Sequence, residues 1–258
     1  MSEASQHHPS ESSRERAELY QLLHSGTPGD LAHYVRECTG ARRVLELGCG
    51  SGRLLAGLAE VAGSVVGLDV DRTMLTLAHE ALEATSSAAR VELVLGDMTE
   101  FDLDGTFDRI IIPFNGLWAI GGADAVARCL ACARGHLEAG GVLLLDVYAI
   151  DDDGDYELQG GPDSADFELM ATVVRGGVEV QVLERNALAP DATWIDVEYR
   201  FVWPDGRTLD DRMRHHFLPW PVLATLLFEA GFTDLAVAGD FDGARFDEAS
   251  EIAVVSAR

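Results

Sequence analysis

The sequence predicts an α/β protein in which a mostly parallel sheet carries an inserted antiparallel sheet. Three observations support this fold class. Short apolar stretches alternate with helical patterns from about residue 44 to residue 148, as in chains that form parallel sheets. Residues 167–217 alternate between polar and apolar side chains, which is the period of antiparallel strands. A glycine-rich turn, Gly48–Gly52, follows the first strand and indicates a ligand site.

The composition is that of a globular protein, and it excludes several classes of function. The 258 residues are 47% hydrophobic, which is ample for a core. No stretch approaches the roughly 18–20 apolar residues of a membrane span, and the start is too polar for a secretory signal, so we expect a cytoplasmic protein without membrane partners. The net charge of −25 disfavours nucleic acids. All 19 basic residues are arginine, which excludes lysine-dependent pyridoxal enzymes and P-loop NTPases.

The chain divides by pattern into four segments. The polar start is expected to be disordered. A helical pattern then ends near Gly26, and a second helix around 31–37 leads into the first strand. The predicted segments are a disordered tail (1–16), an α/β core (17–150), an inserted antiparallel sheet (151–217), and a C-terminal helix and hairpin that complete the core (218–258).

The first strand enters the glycine-rich turn through Glu46, and its apolar neighbours suit a strand buried on both faces. We expect a helix to begin near Gly52 and to offer its free N–H groups to a ligand. In a dinucleotide-binding turn the third glycine would stand at the position of Arg53, and this mismatch counts against NAD. The turn therefore indicates a nucleotide-like cofactor of another kind.

Acidic residues close the next two strands at the edge where parallel sheets bind ligands. Asp69 ends the second strand, where its carboxylate can accept hydrogen bonds from both hydroxyls of a ribose. The alternative role for Asp69 is a helix cap, which we assign instead to Asp71. The third strand (91–95) runs into Gly96–Met98, a turn that carries a further acid.

The fourth and fifth strands end in candidates for substrate contacts. The fourth strand (107–112) leads into a loop with Phe114, Asn115 and Trp118, and the fifth ends at Tyr148. We predict that Asn115, Trp118 and Tyr148 contact the substrate, although Trp118 could equally belong to the core. Ligands of open parallel sheets bind at this edge.

No metal site is predicted. Cys129, Cys132 and His136 share one side of a predicted helix, but they complete an apolar face and lack a fourth ligand, so we assign them to the core. The stretch Asp151–Asp155 resembles a calcium loop but lacks the required glycine and the final glutamate, which favours a solvated acidic loop. The four cysteines do not form a disulfide framework for a chain of this size.

The inserted sheet is a candidate roof for the substrate site, a candidate homodimer interface, or both. Its last strand carries His215 and His216, which alternation places on opposite faces. Either could act as a general base, and the alternative is that both are ordinary sheet residues. We favour His216 as the base and place His215 among the substrate contacts. The predicted strands span 167–175, 178–188, 193–203 and 207–217; a helix (221–230) and two strands (234–238 and 251–257) follow.

The motifs Glu46–Gly52, Asp69 and Gly96–Met98 together resemble those of class I S-adenosylmethionine (SAM) methyltransferases over nearly the whole chain. The stretch Tyr20-x-x-x-His24-x-Gly26 and the inserted sheet are similar to sugar N,N-dimethyltransferases, which usually have a second tyrosine where His24 stands. The resemblance implies a Rossmann-like, seven-stranded sheet whose last strand is antiparallel.

The resemblance also implies roles for individual residues. Asp69 would bind the ribose, Asp97 the adenine amino group and Met98 the adenine ring, while Tyr20 would lie near the methionine end, where its ring could stabilise the sulfonium charge. The full set of expected cofactor contacts is Tyr20, Glu46, Gly48, Cys49, Gly50, Gly52, Asp69, Val70, Met74, Asp97, Met98 and Phe114. The expected substrate contacts are Asn115, Trp118, Tyr148 and His215.

The predicted function is transfer of a methyl group from SAM to an N, O or S nucleophile of a small molecule, with S-adenosylhomocysteine as the other product. Positioning alone can contribute on the order of 7–11 kcal/mol to such a displacement. Two alternatives stay open: an NAD-dependent oxidoreductase, which the mismatch at Arg53 disfavours, and a non-catalytic SAM-binding protein.

Overall fold

The computed structural model describes residues 11–149 and 166–258, and the predicted acidic loop Asp151–Asp155 lies outside them. The described strands are β1 (Arg43–Leu47), β2 (Ser64–Asp69), β3 (Val91–Leu95), β4 (Phe107–Ile112), β5 (Leu137–Tyr148), β6 (Glu168–Arg175), β7 (Val178–Leu188), β8 (Trp194–Val202), β9 (Thr208–His216), β10 (Leu235–Ala238) and β11 (Ile252–Ala257). The described α-helices are α1 (Glu11–Leu23), α2 (Asp30–Cys38), α3 (Leu55–Val61), α4 (Arg72–Glu83), α5 (Ala123–His136) and α6 (Trp220–Glu229).

Seven strands form one sheet in the order β10-β11-β5-β4-β1-β2-β3. Strands β1 to β5 are parallel to one another, and the last strand of the chain, β11, pairs antiparallel with both β5 and β10. This arrangement confirms the predicted mostly parallel sheet with an antiparallel last strand. The switch in strand order lies between β4 and β1, where open α/β sheets place their ligands.

Helices cover both faces of this sheet, so β1 is buried on both sides as its sequence predicts. Leu45 and Leu47 pack with α5 and α6 on one face. Val44 packs with α2, α3 and α4 on the other. No helix among the described residues is long and apolar enough to cross a membrane.

The start of strand β5 is irregular, and the start of helix α3 differs from its prediction. Strand β5 begins at Leu137, which pairs with Phe107, and the register then shifts before Val142 pairs with Arg109. Helix α3 begins at Leu55 rather than near Gly52, so the first residues after the glycine-rich turn form turns instead of a helical N-terminus.

The inserted segment forms the second sheet, in the antiparallel order β6-β7-β8-β9, which confirms the predicted insertion. We call it the roof sheet. The tight turn at Gly176 and Gly177 joins β6 to β7, and both glycines have positive φ values, 59° and 81°, as hairpin turns require. Ile195 and Phe217 join the core cluster of the main sheet, so the roof sheet packs against the α/β core.

Helix α1 packs against the roof sheet, with Leu19 fully buried among Val182, Phe201 and Trp203. It begins at Glu11, so the prediction of a disordered tail is wrong for residues 11–16. The sequence pattern missed the first turns of this helix, although it predicted the rest, because the polar residues of these turns form ion pairs with distant parts of the chain. The division into a core at 17–150 and later segments stays a prediction, with the change that α1 packs on the roof sheet.

Candidate active site

A cavity of about 1850 Å³ opens between the carboxyl edge of the parallel strands and the roof sheet. It exceeds the roughly 300–1000 Å³ of a typical single-ligand pocket, so two ligands fit side by side. Its lining combines the glycine-rich turn, the tips of β2, β3, β4 and β5, the end of α1 and the inner face of the roof sheet. Eight carboxylic acids line it: Glu46, Asp69, Asp71, Asp97, Glu184, Asp247, Glu248 and Glu251.

The glycine-rich turn is held against the tip of β2 by Asp69. The two oxygens of its carboxylate accept hydrogen bonds from the backbone N–H groups of Gly50 (2.7 Å) and Asp71 (2.8 Å). Gly48 has a φ of 74°, and a Cβ at this position would lie 2.9 Å from Cε of Met98. A side chain at Gly48 would therefore displace Met98 from the cavity wall. The Asp71 carboxylate accepts from the backbone N–H of Thr73 at 2.7 Å, which confirms the predicted cap of α4.

Glu46 is a buried carboxylate that faces the cavity with one oxygen unused. The residue is 2% exposed, and its Oε2 has no hydrogen-bond partner among the described residues. Burial raises the pKa of Glu46 to about 8, although the nearby Arg53 guanidinium acts in the opposite direction. A buried carboxylate oxygen without a partner is costly for the fold, and a cationic ligand group would satisfy it.

The turn after β3 presents Asp97 and Met98 to the cavity. Asp97 uses a single oxygen, Oδ1, to accept bonds from the Thr99 backbone N–H (2.7 Å) and the Thr99 hydroxyl (2.8 Å). These bonds fix the orientation of the Asp97 carboxylate relative to the cavity. Val70 and Met74 line the same region, and Val70 is largely exposed.

The loop after β4 is strained, and two side chains hold it. Phe114 and Asn115 have φ values of 54° and 57°, a left-handed conformation that is rare for residues other than glycine. The buried carboxylate of Asp146 accepts from the Phe114 backbone N–H (2.9 Å) and from the Tyr34 hydroxyl (2.5 Å). The Asn115 side-chain oxygen accepts from the Tyr148 backbone N–H at 2.6 Å. Such strain persists where surrounding bonds enforce it, and it is frequent at active sites.

Aromatic rings surround the cavity where α1 meets the roof sheet. His24 lies 4.3 Å from Tyr20, 5.6 Å from Tyr199 and 6.0 Å from Phe114 between ring centroids. Burial lowers the pKa of His24 to about 4, so the imidazole is neutral at pH 7, and its Nε2 is buried without a partner. Burial raises the pKa of Tyr20 to about 12, which keeps its hydroxyl protonated.

The roof sheet contributes Glu184, Asn186 and His215 to the cavity. The Asn186 amide Nδ2 donates to Glu184 Oε1 at 2.9 Å, while the buried Asn186 Oδ1 has no partner. Burial raises the pKa of Glu184. Burial also lowers the pKa of His215 to about 4, so this imidazole is neutral at pH 7 as well.

Three predicted site residues do not line the cavity. Trp118 is fully buried in the core, where its indole N–H donates to the Tyr148 carbonyl at 3.4 Å, so its assignment as a substrate contact is wrong. His216 lies on the opposite face of β9 from His215 and faces Gly122, so His216 is wrong as the base.

The third is Gly52, which also lies outside the cavity lining. It has a φ of 81°, and a Cβ there would lie 3.0 Å from Cβ of Ala78 on α4. The absence of a side chain at Gly52 therefore allows the turn to pack closely on α4, and the assignment of Gly52 as a cofactor contact stays a prediction. The predicted residues that the cavity does bring together are Tyr20, Glu46, Gly48, Cys49, Gly50, Asp69, Val70, Met74, Asp97, Met98, Phe114, Asn115, Tyr148 and His215.

The side chains of Cys129, Cys132 and His136 have structural partners. Cys129 is fully buried in the core. The two ring nitrogens of His136 bond the Leu103 backbone N–H (3.1 Å) and the Cys132 carbonyl (2.8 Å). The described residues contain no group of three or more side chains placed to hold a metal ion.

Comparison with known proteins finds methyltransferases that are similar to this chain. Residues 44–141 match the family model of a methyltransferase domain. The chain is 27% identical, over 75% of its length and 73% of the relative's, to a dTDP-3-amino-3,6-dideoxy-alpha-D-glucopyranose N,N-dimethyltransferase from Streptomyces fradiae. It is 26% identical to the solved CcbJ methyltransferase from Streptomyces caelestis, with a TM-score of 0.74 over 89% of this chain and 88% of that one.

The protein is a SAM-dependent methyltransferase. SAM-bound CalS10, an amino pentose methyltransferase from Micromonospora echinaspora, shares its fold with a TM-score of 0.69 at 23% identity, over 95% of this chain and 96% of that one. The predicted family, fold and cofactor are confirmed. The cavity of this methyltransferase also fits SAM, because Glu46 Oε2 is an unsatisfied acceptor suited to an ammonium group and acids stand at the tips of β2 and β3.

Sequence reasoning did not assign several residues of the methyltransferase cavity to the site, among them His24, Glu184, Asn186 and Tyr199. A signal for two of them was present. In β7 the cavity-side positions run Val180, Val182, Glu184, Asn186, so an apolar face is interrupted by two polar residues in succession. A polar pair on an otherwise buried face points to a ligand or a buried partner.

Proposed function

We propose that this methyltransferase transfers the methyl group to the amino nitrogen of a small molecule. The observation that carries the proposal is the pair of neutral imidazoles, His24 and His215, in the wall of the cavity. Burial holds the pKa of each at about 4, so at pH 7 neither repels a cationic amine and each has a ring nitrogen able to accept its hydrogen bond. The names of the relatives, which describe N,N-dimethyltransferases acting on amino sugars, support the same acceptor group.

We assign the cofactor contacts as follows. Asp69 accepts from the ribose hydroxyls, Asp97 from the adenine amino group, and Met98 packs on the adenine ring. Glu46 binds the ammonium of the methionine part, and Tyr20 lies beside the sulfonium. The remaining cofactor contacts are Gly48, Cys49, Gly50, Val70, Met74 and Phe114. When bound, SAM supplies an electrophilic methyl group to the acceptor.

The residues of the chain then contribute alignment and control of protons. The acceptor reacts as the neutral amine: its nitrogen lone pair forms the N–C bond as the S–C bond breaks, S-adenosylhomocysteine leaves, and the methylated ammonium gives its extra proton to solvent. His215 replaces His216 in our assignment, but as an acceptor that orients the nitrogen, because an imidazole with a pKa of about 4 is too weak a base to remove a proton from an ammonium. We assign Asn115, in the strained loop, and Tyr148, at the end of β5, as further acceptor contacts, because both line the cavity.

Labelling tests the proposed function directly. The protein is incubated with methyl-labelled SAM and a metabolite extract, one half of which has been acetylated in water to block its amines. We expect label in the untreated half and none in the acetylated half. Equal labelling of both halves would show an O or S acceptor, and binding of SAM with no transfer would favour the non-catalytic alternative.

We also propose the associations of the protein. The net charge of −25 disfavours nucleic acids as partners, and we place the protein in the cytoplasm without a membrane partner. A homodimer through the edge strand β6 is supported by its exposed Leu169, Met170 and Val174. Light scattering of the purified protein tests this: a monomer mass at every protein concentration measured contradicts it.

A further inference from the structure

We infer that the acceptor reaches this site without a phosphate or nucleotide attached, and that Glu184 and Asn186 select it by its hydrogen-bond donors. The inference rests on the proposed function and adds the substrate class. It sets this chain apart from the relatives whose names describe dTDP-linked amino sugars.

The charge of the cavity opposes a phosphorylated acceptor. Eight carboxylic acids line it, against two arginines, Arg53 and Arg212. Both arginines already have carboxylate partners: Arg53 binds Asp30 through two bonds of 2.6 and 3.0 Å, and Arg212 pairs with Asp196. Within the described part of the chain, the cavity therefore offers a diphosphate no arginine that is not already paired. Residues 1–10 and 150–165 contain no arginine or lysine in the sequence.

The histidines do not change this balance. Burial keeps both His24 and His215 neutral at pH 7, so neither compensates for a phosphate charge. The net charge of −25 on the whole chain adds a long-range repulsion that slows the approach of any dianion. Both effects favour a neutral or cationic molecule.

The roof sheet provides the matching recognition groups. Glu184 and Asn186 stand on the cavity face of β7, beside the apolar Val197 and Met213 of the neighbouring strands. Asn186 is 5% exposed, and its side-chain amide donates a hydrogen bond to Glu184. The Asn186 Oδ1 atom is buried and has no hydrogen-bond partner among the described residues. This pair therefore presents a carboxylate and a carbonyl oxygen, and both accept hydrogen bonds.

The unsatisfied atoms support the same division of the cavity. Among the described residues, three buried side-chain polar atoms lack a partner: His24 Nε2, Glu46 Oε2 and Asn186 Oδ1. All three belong to residues that line this one cavity. Glu46 is assigned to the cofactor, so Asn186 Oδ1 and His24 Nε2 are left for the acceptor. Because a buried polar atom without a partner destabilises a fold, a ligand is the natural source of the missing bonds.

Calorimetry on the protein saturated with S-adenosylhomocysteine tests the inference. Two probes carry the same amino sugar: the methyl glycoside of 3-amino-3,6-dideoxyglucose, and the dTDP-linked form of that sugar. We expect the methyl glycoside to bind at least tenfold more tightly. Equal affinity, tighter binding of the dTDP-linked form, or binding of neither probe overturns the inference.

A matched pair of variants tests the roles of the roof residues. Glu184→Gln should weaken binding of the methyl glycoside at least tenfold and leave the affinity for S-adenosylhomocysteine unchanged. Glu179→Gln, on the exposed face of the same strand, should change neither. If Glu184→Gln behaves like Glu179→Gln, Glu184 does not select the acceptor. Methyl transfer to the bound glycoside is measured separately with SAM: its failure refutes the proposed function, whereas the binding comparison decides this inference.

Discussion

The ionisation of Glu46 should couple the binding of SAM to pH. In the ligand-free protein, burial raises the pKa of Glu46 to about 8, so about nine-tenths of the molecules carry a proton on it at pH 7. An ammonium group placed beside Oε2 favours the charged carboxylate and lowers this pKa. Binding should therefore release about 0.9 proton per site at pH 7.

The same linkage fixes the slope of affinity against pH. Each pKa unit corresponds to about 1.36 kcal/mol, so the affinity should rise about tenfold from pH 6 to pH 7. It should level off near pH 8, where about half of the Glu46 carboxyls are ionised without the ligand and the ligand's own amino group, with a pKa of about 7.7–8.0, begins to lose its charge. Calorimetry with S-adenosylhomocysteine, in two buffers of different ionisation enthalpy, counts the protons.

Two controls isolate the carboxylate. Glu46→Gln keeps the shape of the side chain and should remove the slope. The ligand 5′-methylthioadenosine retains the adenine and ribose but has no amino acid part, so its affinity should be nearly independent of pH between 6 and 7. If both ligands show the same slope, or if no proton is released at pH 7, Glu46 does not bind the ammonium.

The ligand-free protein should show the reverse dependence in its stability. A carboxyl whose pKa is higher in the folded state stabilises the fold fully below its ordinary value of 4.5, and this contribution is lost as the pH rises through about 8. Thermal melts of Glu46→Gln should lack this loss. A parallel decline in both proteins would assign it to another group.

Three further substitutions test single positions. Asp69→Ala should weaken SAM binding about tenfold or more by calorimetry, because a charged acceptor of hydrogen bonds is lost. The control variant Asp102→Ala, at an exposed position, should have no effect. Equal affinities of the two variants would contradict the assignment of Asp69 to the ribose. His215→Phe should lower kcat/KM about tenfold, which is the effect of losing one hydrogen bond, and His216→Phe should leave kcat/KM unchanged. The opposite ranking of the two variants would support His216 as the catalytic residue. Gly52→Ala should lower the free energy of unfolding by about 1–3 kcal/mol in urea titrations, since it combines a positive φ with a close contact to α4; an unchanged midpoint would contradict that packing role.

Sequence reasoning predicted the site best where the functional residues form a short local motif. The glycine-rich turn is a run of consecutive residues after β1, and Asp69 ends the neighbouring strand β2. Their order in the chain therefore predicted that they lie together, and this predicted the family and the cofactor. His215 and His216 show the limit of this reasoning. A period of two places them on opposite faces of a strand, but only the packing of the roof sheet decides which face meets the cavity.

Long-range contacts account for the other differences. Trp118 sits in a loop, yet its ring belongs to the core, and no local pattern separates these two outcomes. The hydrogen bond from Tyr34 to Asp146 joins residues that are far apart in the sequence. Asp146 in turn holds the strained loop at Phe114, which is distant from both residues in the sequence. Likewise, the first turns of α1 are polar enough to suggest disorder, because their ion-pair partners lie far away in the sequence.

Those ion pairs connect α1 to the roof sheet. Glu15 bonds Arg175 (2.8 Å) and Arg207 (2.7 Å), and Glu18 bonds Arg175 (2.7 Å), while the end of α1 presents His24 to the cavity. A change of acceptor specificity by exchange of segments should therefore replace α1 and the roof sheet together. A chimera that takes a foreign roof sheet but keeps the native first helix would lose these ion pairs and would combine two parts of the cavity wall from different proteins.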